Sequence, residues 1–146
     1  VDIGMAVDAD GVHVGQNDLP AAAARKLIGA DKILGVSVET VTDARQAKLD
    51  GADYVGVGPV FEARGSKPDT SAPHGLQLLT DVRKKIDLPI VAIGGINRNN
   101  AAVTIQAGAD CLSVISAVVS AHDIQTATYE LRQVIQTERG RRDAVR

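Results

Sequence analysis

The sequence predicts an α/β fold in which short parallel strands alternate with amphipathic helices. Three observations support this prediction: five short apolar runs, apolar residues at helical spacing in the stretches between them, and a small motif that recurs before predicted strands. Aromatic residues make up only 2% of the chain, whereas hydrophobic residues make up 45%, so the core must consist of aliphatic side chains. Aliphatic strands between alanine-rich helices are typical of parallel sheets.

Each predicted strand is a nearly continuous run of apolar, often β-branched residues. A run of this kind indicates a strand that is buried on both faces. The five runs comprise residues 11–15, 33–38, 54–61, 89–95 and 111–119. Together they predict one parallel sheet.

The stretches between these runs carry apolar stripes and residues that favour helix starts. Thr40 and Asn99 are predicted N-caps, and Pro20 is predicted to open a helix. The predicted helices comprise residues 20–28, 41–49, 75–86, 100–107 and 123–136. Residues 1–9 are compatible with the end of a further helix.

A three-residue motif precedes three of the predicted strands. It occurs as Ala9-Asp10-Gly11, Gly51-Ala52-Asp53 and Gly108-Ala109-Asp110, and in the last two the glycine follows a predicted helix, where a left-handed residue is favoured. The repeated order of helix, motif and strand predicts right-handed βαβ crossovers. By strand count alone an open five-stranded parallel sheet is favoured, because a (βα)8 barrel normally needs about 250 residues.

Composition excludes several functional classes. The formal net charge of −2 argues against a general nucleic-acid binder, and no apolar run approaches the length of a membrane span. Cys111 is the only cysteine, so neither an intramolecular disulfide nor a thiolate zinc cluster can form, and a reducing, cytoplasmic setting is expected. We expect one domain over residues 1–136 and a solvated, frayed basic tail over residues 137–146.

Candidate binding residues lie at the carboxyl ends of the predicted strands, where parallel α/β folds bind ligands. Gly94-Gly95 is a candidate phosphate loop, since absent side chains let an anion approach backbone N–H groups at a helix start; a tight turn is the alternative. Ile115 and Ser116 end the next run and add a hydroxyl and further N–H groups. Consecutive strand ends of this type match the phosphate site of many barrels.

Three further positions offer polar chemistry with an ordinary structural alternative. Residues 61–74 form a long polar loop that contains Ser66 and Lys67, and Lys67 suits a polyphosphate; the alternative is a mobile surface loop. Asp18 is either a Mg²⁺ ligand or an N-cap for the following helix, and the local pattern favours the cap. His13 lies mid-strand and is expected to be buried and hydrogen-bonded rather than catalytic.

Five segments in one order resemble the thiamine phosphate synthase (thiamine-phosphate pyrophosphorylase) family. They are GVHVGQNDLP at residues 11–20, ILGVS at 33–37, ADYVGVGPVF at 52–61 followed by Lys67, IGGI at 93–96 and VISA at 114–117. The resemblance extends from about residue 1 to residue 135. It implies a partial (βα)8 TIM barrel that comprises the C-terminal five βα units, strands four to eight, with the first three strands missing.

The resemblance also implies an activity. The family are transferases that join hydroxymethylpyrimidine diphosphate to thiazole phosphate and release pyrophosphate, with Mg²⁺ as cofactor. Asp18 then corresponds to a magnesium ligand, and Ser37 and Lys67 correspond to residues at the pyrimidine diphosphate. Residues at the thiazole phosphate correspond to Ser66, Gly95, Ile115 and Ser116. The loop FEARGSK at residues 61–67 departs from the family pattern by one additional residue and by Ala63 in place of threonine.

Two other functions remain open, as does the state of association. A thiazole tautomerase of the same superfamily would have histidine where Glu39 stands and would lack the Gln16-x-Asp18 pattern. A non-catalytic phosphate-binding half-barrel is the second alternative. Because five strands of a closed barrel leave two open edges, we expect the lone monomer to be inactive and the edges to be covered by a homodimer or by a missing N-terminal half. The other partners are small-molecule substrates, with neither nucleic acid nor membrane.

Overall fold

A computed structural model describes residues 1–62 and 72–144, and it contains one parallel sheet of five strands. The strands are β1 (Gly11–Val14), β2 (Ile33–Val38), β3 (Tyr54–Val57), β4 (Ile90–Ile93) and β5 (Cys111–Ser113). They are hydrogen-bonded in the order β1-β2-β3-β4-β5, so each strand pairs with the next one along the chain. The predicted count of five parallel strands is confirmed, but the strand order is not that of a doubly wound open sheet, which reverses part-way.

Seven helices flank the sheet in the described part of the chain. They are α1 (Asp2–Ala6), α2 (Ala21–Ile28), α3 (Val41–Leu49), α4 (Gly75–Arg83), α5 (Ala101–Gln106), α6 (Ser116–Val119) and α7 (Ile124–Ala144). Sequential parallel strands joined by right-handed crossovers place the connecting helices on one face of the sheet. This is the arrangement of consecutive units in a (βα) barrel.

The core lies between the sheet and this layer of helices. Alternate strand residues such as Leu34, Val36 and Val38 of β2 are buried against helix residues such as Ala24 and Ala44. The opposite face is open: His13, Ile33 and Ile93 are exposed there. The prediction of strands buried on both faces is therefore wrong for this structure, because helices cover only one of the two faces.

Most predicted elements are confirmed, and the differences lie at their ends. Thr40 caps α3 in a capping box, in which its Oγ1 accepts the Asp43 N–H at 3.1 Å and the Asp43 carboxylate accepts the Thr40 N–H at 2.9 Å. The predicted cap at Asn99 is wrong by one residue, since α5 begins after Asn100. The predicted strand 111–119 ends at Ser113, and its second half forms α6. Apolar runs of this length suit either element.

The predicted frayed tail is wrong up to residue 144, because α7 continues through it as one helix. Glu138 is only 6% exposed and accepts hydrogen bonds from Gln106 Nε2 and Arg141 Nη1, both at 2.6 Å. Arg142 donates to the Ala109 carbonyl at 2.8 Å and to Asp110 at 2.7 Å. Glu138 and Arg142 therefore attach α7 to α5 and to the residues just before β5. Among the described residues, no helix combines the length and apolarity that a membrane crossing requires.

Candidate active site at the carboxyl ends of the strands

Three side chains from neighbouring strands meet on the open face of the sheet. His13 lies opposite Gly35 in the β1–β2 register, and Ser37 lies opposite Gly56 in the β2–β3 register. The His13 ring lies 2.9 Å from Tyr54 Oη through Nδ1 and 2.8 Å from Ser37 Oγ through Nε2. A side chain at Gly35 would overlap both rings, so this glycine makes room for the contact. Ser37, a predicted substrate contact, is thereby the end of a hydrogen-bonded chain.

The surroundings of these hydrogen-bonded side chains favour the uncharged forms of the His13 ring and the Tyr54 phenol. Desolvation of the His13 ring lowers the pKa of this histidine, and the nearby Asp18 carboxylate opposes the shift. Burial also raises the pKa of the Tyr54 phenol. A neutral imidazole and a protonated phenol are therefore the forms present near neutral pH. The expectation that His13 is hydrogen-bonded is confirmed, whereas the expectation that it is buried is wrong, because Tyr54 and Ser37 cover only part of the ring and the side chain remains exposed on the open face.

The loop after β1 holds Asp18 in a tight turn. The Asp18 carboxylate accepts a hydrogen bond from the Gly15 N–H at 2.7 Å, and the Asp18 N–H donates to the Gly15 carbonyl at 3.2 Å. Helix α2 starts after Pro20, so the interpretation of Asp18 as its N-cap is wrong. In the same loop, Gln16 Nε2 donates to the Ser37 carbonyl at 2.5 Å and joins the ends of β1 and β2.

Asp18 is compatible with Mg²⁺ as one member of a larger ligand set. Its side chain is exposed, and one carboxylate oxygen is oriented by the Gly15 N–H. Within residues 1–62 and 72–144, no group of three or more His, Cys, Asp or Glu side chains converges. Mg²⁺ commonly binds one or two protein carboxylates and completes its shell with water and substrate phosphate oxygens. A single loop carboxylate fits that pattern as a partial site.

The Gly94-Gly95 pair lets the segment after β3 cross closely over the end of β4. Both glycines have positive φ, +97° and +63°, and the Phe61 N–H donates to the Gly94 carbonyl at 3.1 Å. A Cβ on Gly95 would lie 2.6 Å from the Glu62 carbonyl oxygen. The pair is thus a tight turn, and α5 begins only at Ala101. The tight-turn alternative for the pair is confirmed, and its role as a phosphate loop stays a prediction.

The short helix α6 has its N-terminus at the carboxyl edge of the sheet, close to the end of β5. Ile115 is its N-cap and Ser116 its first residue, and the Val118 and Val119 N–H groups both donate to the Ile115 carbonyl. The first N–H groups of a helix have no partner within it and point outward. Ile115 and Ser116 are both exposed. A short extra helix after the last strand is a common component of barrel phosphate sites.

The structure brings only part of the predicted site together. It places Ser37 against Asp18's loop through Gln16, and it places Gly95 and Ser116 at the ends of the neighbouring strands β4 and β5. Ser66 and Lys67 lie outside the described residues. The contact of His13 with Tyr54 and Ser37 was not predicted from the sequence. The alternation of side chains along each strand indicates which residues share a face. Only the strand register shows which of these residues lie next to each other in neighbouring strands.

Comparison with known proteins identifies relatives along most of the chain. A family model described as thiamine monophosphate synthase matches residues 1–118. The thiamine-phosphate synthase of Moorella thermoacetica is 56% identical over 141 residues, which are 97% of this chain and 67% of that protein. The thiamine-phosphate synthase of Chloroflexus aurantiacus is 56% identical over 135 residues, which are 92% of this chain and 62% of that protein.

Solved structures give the same result for the fold. The thiamine phosphate pyrophosphorylase of Pyrococcus furiosus superposes with a TM-score of 0.84 and 38% identity, over 94% of this chain and 65% of that one. A 3-hexulose-6-phosphate synthase superposes with a TM-score of 0.67 at 23% identity, over 92% and 66% of the two chains, which shows a shared fold alone. The chain thus spans about two thirds of the length of each of these four proteins, and the prediction of a partial barrel is confirmed.

Proposed function

This chain belongs to the thiamine monophosphate synthase family, and we propose that it forms the larger part of a thiamine-phosphate synthase active site. The reaction joins hydroxymethylpyrimidine diphosphate to thiazole phosphate and releases pyrophosphate. The observation that supports this proposal most directly is the 56% identity to thiamine-phosphate synthases over nearly the whole chain. The positions of Asp18, Ser37, Gly95 and Ser116 at one edge of the sheet add independent support.

The pyrimidine diphosphate binds, in this proposal, at the carboxyl ends of β1 and β2. Ser37 contacts this substrate through its hydroxyl, and Lys67 contacts the diphosphate. Mg²⁺, held in part by Asp18, would neutralise charge on the diphosphate as it leaves. The Gly15 N–H orients one carboxylate oxygen of Asp18, and Gln16 fixes the adjacent backbone of Ser37. The protein therefore supplies a rigid edge on which a charged leaving group can be held.

The thiazole phosphate binds at the neighbouring ends of β4 and β5. The exposed Ser116 hydroxyl and the first N–H groups of α6 are suitable donors for a phosphate. Gly95, Ile115 and Ser66 complete the proposed set. Holding both substrates on one edge converts their encounter into an intramolecular one, which is a large part of what a two-substrate enzyme must provide.

The chemistry of this reaction requires no strong base. Departure of diphosphate from the pyrimidine methylene leaves a cation stabilised by the heterocycle, and the thiazole nitrogen then forms the new C–N bond. The step requires stabilisation of charge on the leaving group more than proton transfer. The lowered pKa of His13 keeps that ring neutral, which is compatible with this requirement.

The alternatives are less well supported by the residues present. A thiazole tautomerase would need a histidine at the position of Glu39 and has no use for the Asp18 carboxylate in diphosphate binding. A non-catalytic phosphate-binding half-barrel would use α6 but not Asp18 or Ser37.

The free, exposed thiol of Cys111 suits the reducing cytoplasm that we expect for the proposed synthase.

Calorimetry and an activity assay together test the proposal. The chain should bind thiazole phosphate, and Ser116→Ala should weaken that binding about tenfold because a hydrogen bond to a charged group is lost. Ser120→Ala, on the exposed C-cap of α6, is the matched control and should bind normally. A side chain at Gly95 would displace residues 61–62 whether or not a phosphate binds, so Ser116 is the sharper position.

Formation of thiamine phosphate from both substrates and Mg²⁺ is the second readout. Pyrophosphate release that requires both substrates would support the synthase, whereas conversion of a thiazole phosphate tautomer without the pyrimidine would favour the tautomerase. Binding of neither substrate would refute the proposal. Light scattering of the same sample tests whether a homodimer covers the outer edges of β1 and β5, each of which has one strand neighbour in the described sheet.

A further inference from the structure

Two side chains of the hydrogen-bonded chain on the open face have no role in the function proposed above. Tyr54, His13 and Ser37 are joined in that order by contacts of 2.9 and 2.8 Å. The Tyr54 and His13 rings are tilted by 37° with their centroids 5.5 Å apart, so the rings also pack against each other. Ser37 is joined to the loop that holds Asp18 through the Gln16 side chain, which donates to the Ser37 carbonyl. The arrangement is directional, with one end at the proposed ligand.

A neutral imidazole has one donor nitrogen and one acceptor nitrogen. The hydrogen bonds that join Tyr54, His13 and Ser37 can therefore run in either of two directions. In one form Tyr54 Oη donates to Nδ1, and Nε2–H donates to Ser37 Oγ. In the other form Nδ1–H donates to Tyr54, and Ser37 donates its hydrogen to Nε2. The two forms differ at the ligand, because Ser37 retains a hydrogen for another acceptor only in the first.

The first form is favoured by the donors involved. A phenol is a stronger hydrogen-bond donor than an alcohol, so Tyr54 is the better donor to the ring. Within the described residues, His13 Nδ1 is the hydrogen-bond partner of Tyr54 Oη. With Nδ1 occupied as an acceptor, a neutral ring must carry its proton on Nε2. Ser37 Oγ then accepts from His13, and its own hydrogen must point elsewhere.

We propose that His13 is a positioning residue that orients the Ser37 hydroxyl as a donor toward the bound ligand, and that Tyr54 selects the tautomer of His13. The inference rests on the proposed function for the ligand, whose acceptor atom belongs to the pyrimidine diphosphate. Gln16 contributes by fixing the Ser37 carbonyl, so that side chains from β1 and the loop after it hold both the backbone and the hydroxyl of Ser37. Preorganised donors of this kind lower the cost of binding.

Nitrogen NMR of the histidine side chains tests the tautomer without any ligand. His13 should be neutral with its proton on Nε2, and the signal is assigned by its absence in His13→Asn. Tyr54→Phe should populate the other tautomer, since the donor to Nδ1 is lost. A proton on Nδ1 in the unmodified protein, or a tautomer that Tyr54→Phe leaves unchanged, would overturn the assignment of Tyr54 as the selector.

Two substitutions of different length test the action of His13 on Ser37. The amide nitrogen of His13→Gln reaches approximately the position of Nε2, whereas that of His13→Asn corresponds to Nδ1 and cannot reach Ser37. Calorimetry with hydroxymethylpyrimidine diphosphate and Mg²⁺ should show binding about tenfold weaker in His13→Asn and a clear partial rescue in His13→Gln. His122→Asn, at an exposed histidine after α6, is the matched control and should bind normally.

The double variant separates positioning from direct contact. If His13 acts through Ser37, then His13→Asn should cause no further loss in a Ser37→Ala background, because the hydroxyl that it orients is gone. Additive losses would overturn the inference and make His13 a ligand contact. Absence of diphosphate binding by the unmodified protein would refute the proposed function and the ligand half of this inference, whereas the NMR result would still decide the tautomer half. Circular dichroism verifies that each variant is folded.

Discussion

The amino ends and the carboxyl ends of the five strands are built from different contacts. At the amino ends, Asp53 Oδ2 accepts the Leu34 N–H at 2.7 Å and Arg25 Nη2 at 2.6 Å. Asp110 Oδ2 does the same with the Ile90 N–H at 2.9 Å and Arg83 Nη2 at 2.6 Å. At the carboxyl ends, the Gln16, Asp18 and Ser116 side chains are exposed. The amino edge is therefore organised for stability, and the carboxyl edge is the one at which we propose that ligands bind.

The two Arg–Asp clamps, Arg25–Asp53 and Arg83–Asp110, are copies of one device. Each aspartate is the last residue of a Gly-Ala-Asp motif, and each arginine also donates to the carbonyl of the glycine in that motif, Gly51 or Gly108. Each clamp thus ties a helix to the strand that follows it and to the end of the next helix. The repeat indicates that two consecutive βα units form the structural module of this sheet.

The clamps differ in burial and in the number of cations. The Asp53 side chain is 50% exposed, whereas that of Asp110 is 22% exposed and also accepts Arg142 Nη2 at 2.7 Å. Charge pairs gain strength as solvent is removed, and a partly buried cation that loses its partner is costly. We therefore expect Asp110 to matter more than Asp53, and both to matter more for folding than any residue at the carboxyl edge.

The largest expected effect is that of Asp110→Ala. It would leave the guanidinium groups of Arg83 and Arg142 without their shared carboxylate and the Ile90 N–H without its acceptor. We expect the free energy of unfolding to fall by about 3 kcal/mol, as for other buried pairs that lose one partner. Urea unfolding measures the loss. A decrease below about 1 kcal/mol would mean that the clamp behaves like a surface pair.

The pH dependence of that loss sharpens the assignment. Burial alone would raise the pKa of Asp110, but the Ile90 N–H and the guanidinium groups of Arg142 and Arg83 outweigh it, and the pKa is lowered. A lowered pKa in the folded state gives stability that is fully present above the ordinary value of about 3.9 and is lost as pH falls through the folded value. The difference between the unmodified protein and Asp110→Ala should thus be constant from about pH 8 to 5 and shrink below about pH 4.

Asp53→Ala tests whether the second clamp is weaker, as its exposure suggests. Solvent screens a half-exposed pair, so we expect the free energy of unfolding to fall by only about 1 kcal/mol, mainly through the unpaired Leu34 N–H. The same urea titration gives the value. A loss equal to that of Asp110→Ala would show that exposure and Arg142 do not distinguish the two clamps.

The sequence predicted the strands and helices because periodicity and caps are local signals. The Thr40 capping box is contained in four residues, and its helix was predicted with the correct ends. Helix α6 was missed because an apolar run does not distinguish a strand from a short helix. The Gly-Ala-Asp repeat was recognised, but its clamp was not. Its arginines lie 28 and 27 residues before the aspartates, a matching distance that only the fold makes meaningful.

The candidate site likewise contains residues that local signals in the sequence could place and a contact that they could not. Asp18, Ser37 and Ser116 could be placed at the carboxyl edge from the ends of the apolar runs, since a parallel sheet brings those ends together. The link from Tyr54 through His13 to Ser37 depends on which residues lie opposite each other in neighbouring strands. Register is set by packing of the whole sheet and is not encoded in any one segment.

Asp18→Asn should have the smallest effect on folding and the clearest effect on binding. Asparagine keeps an oxygen that can accept the Gly15 N–H, and the residue is exposed, so the free energy of unfolding should change by less than about 0.5 kcal/mol. It removes the negative charge, so calorimetry should show Mg²⁺-dependent pyrophosphate binding weakened at least about tenfold, with no difference between the two proteins when Mg²⁺ is absent. Asp110→Ala is the natural counterpart, since it should destabilise the fold and leave pyrophosphate binding intact at temperatures where the protein is folded. If Asp18→Asn instead destabilised the protein and bound Mg²⁺ and pyrophosphate normally, the carboxyl edge would resemble the amino edge, and the division of labour between the two would be wrong.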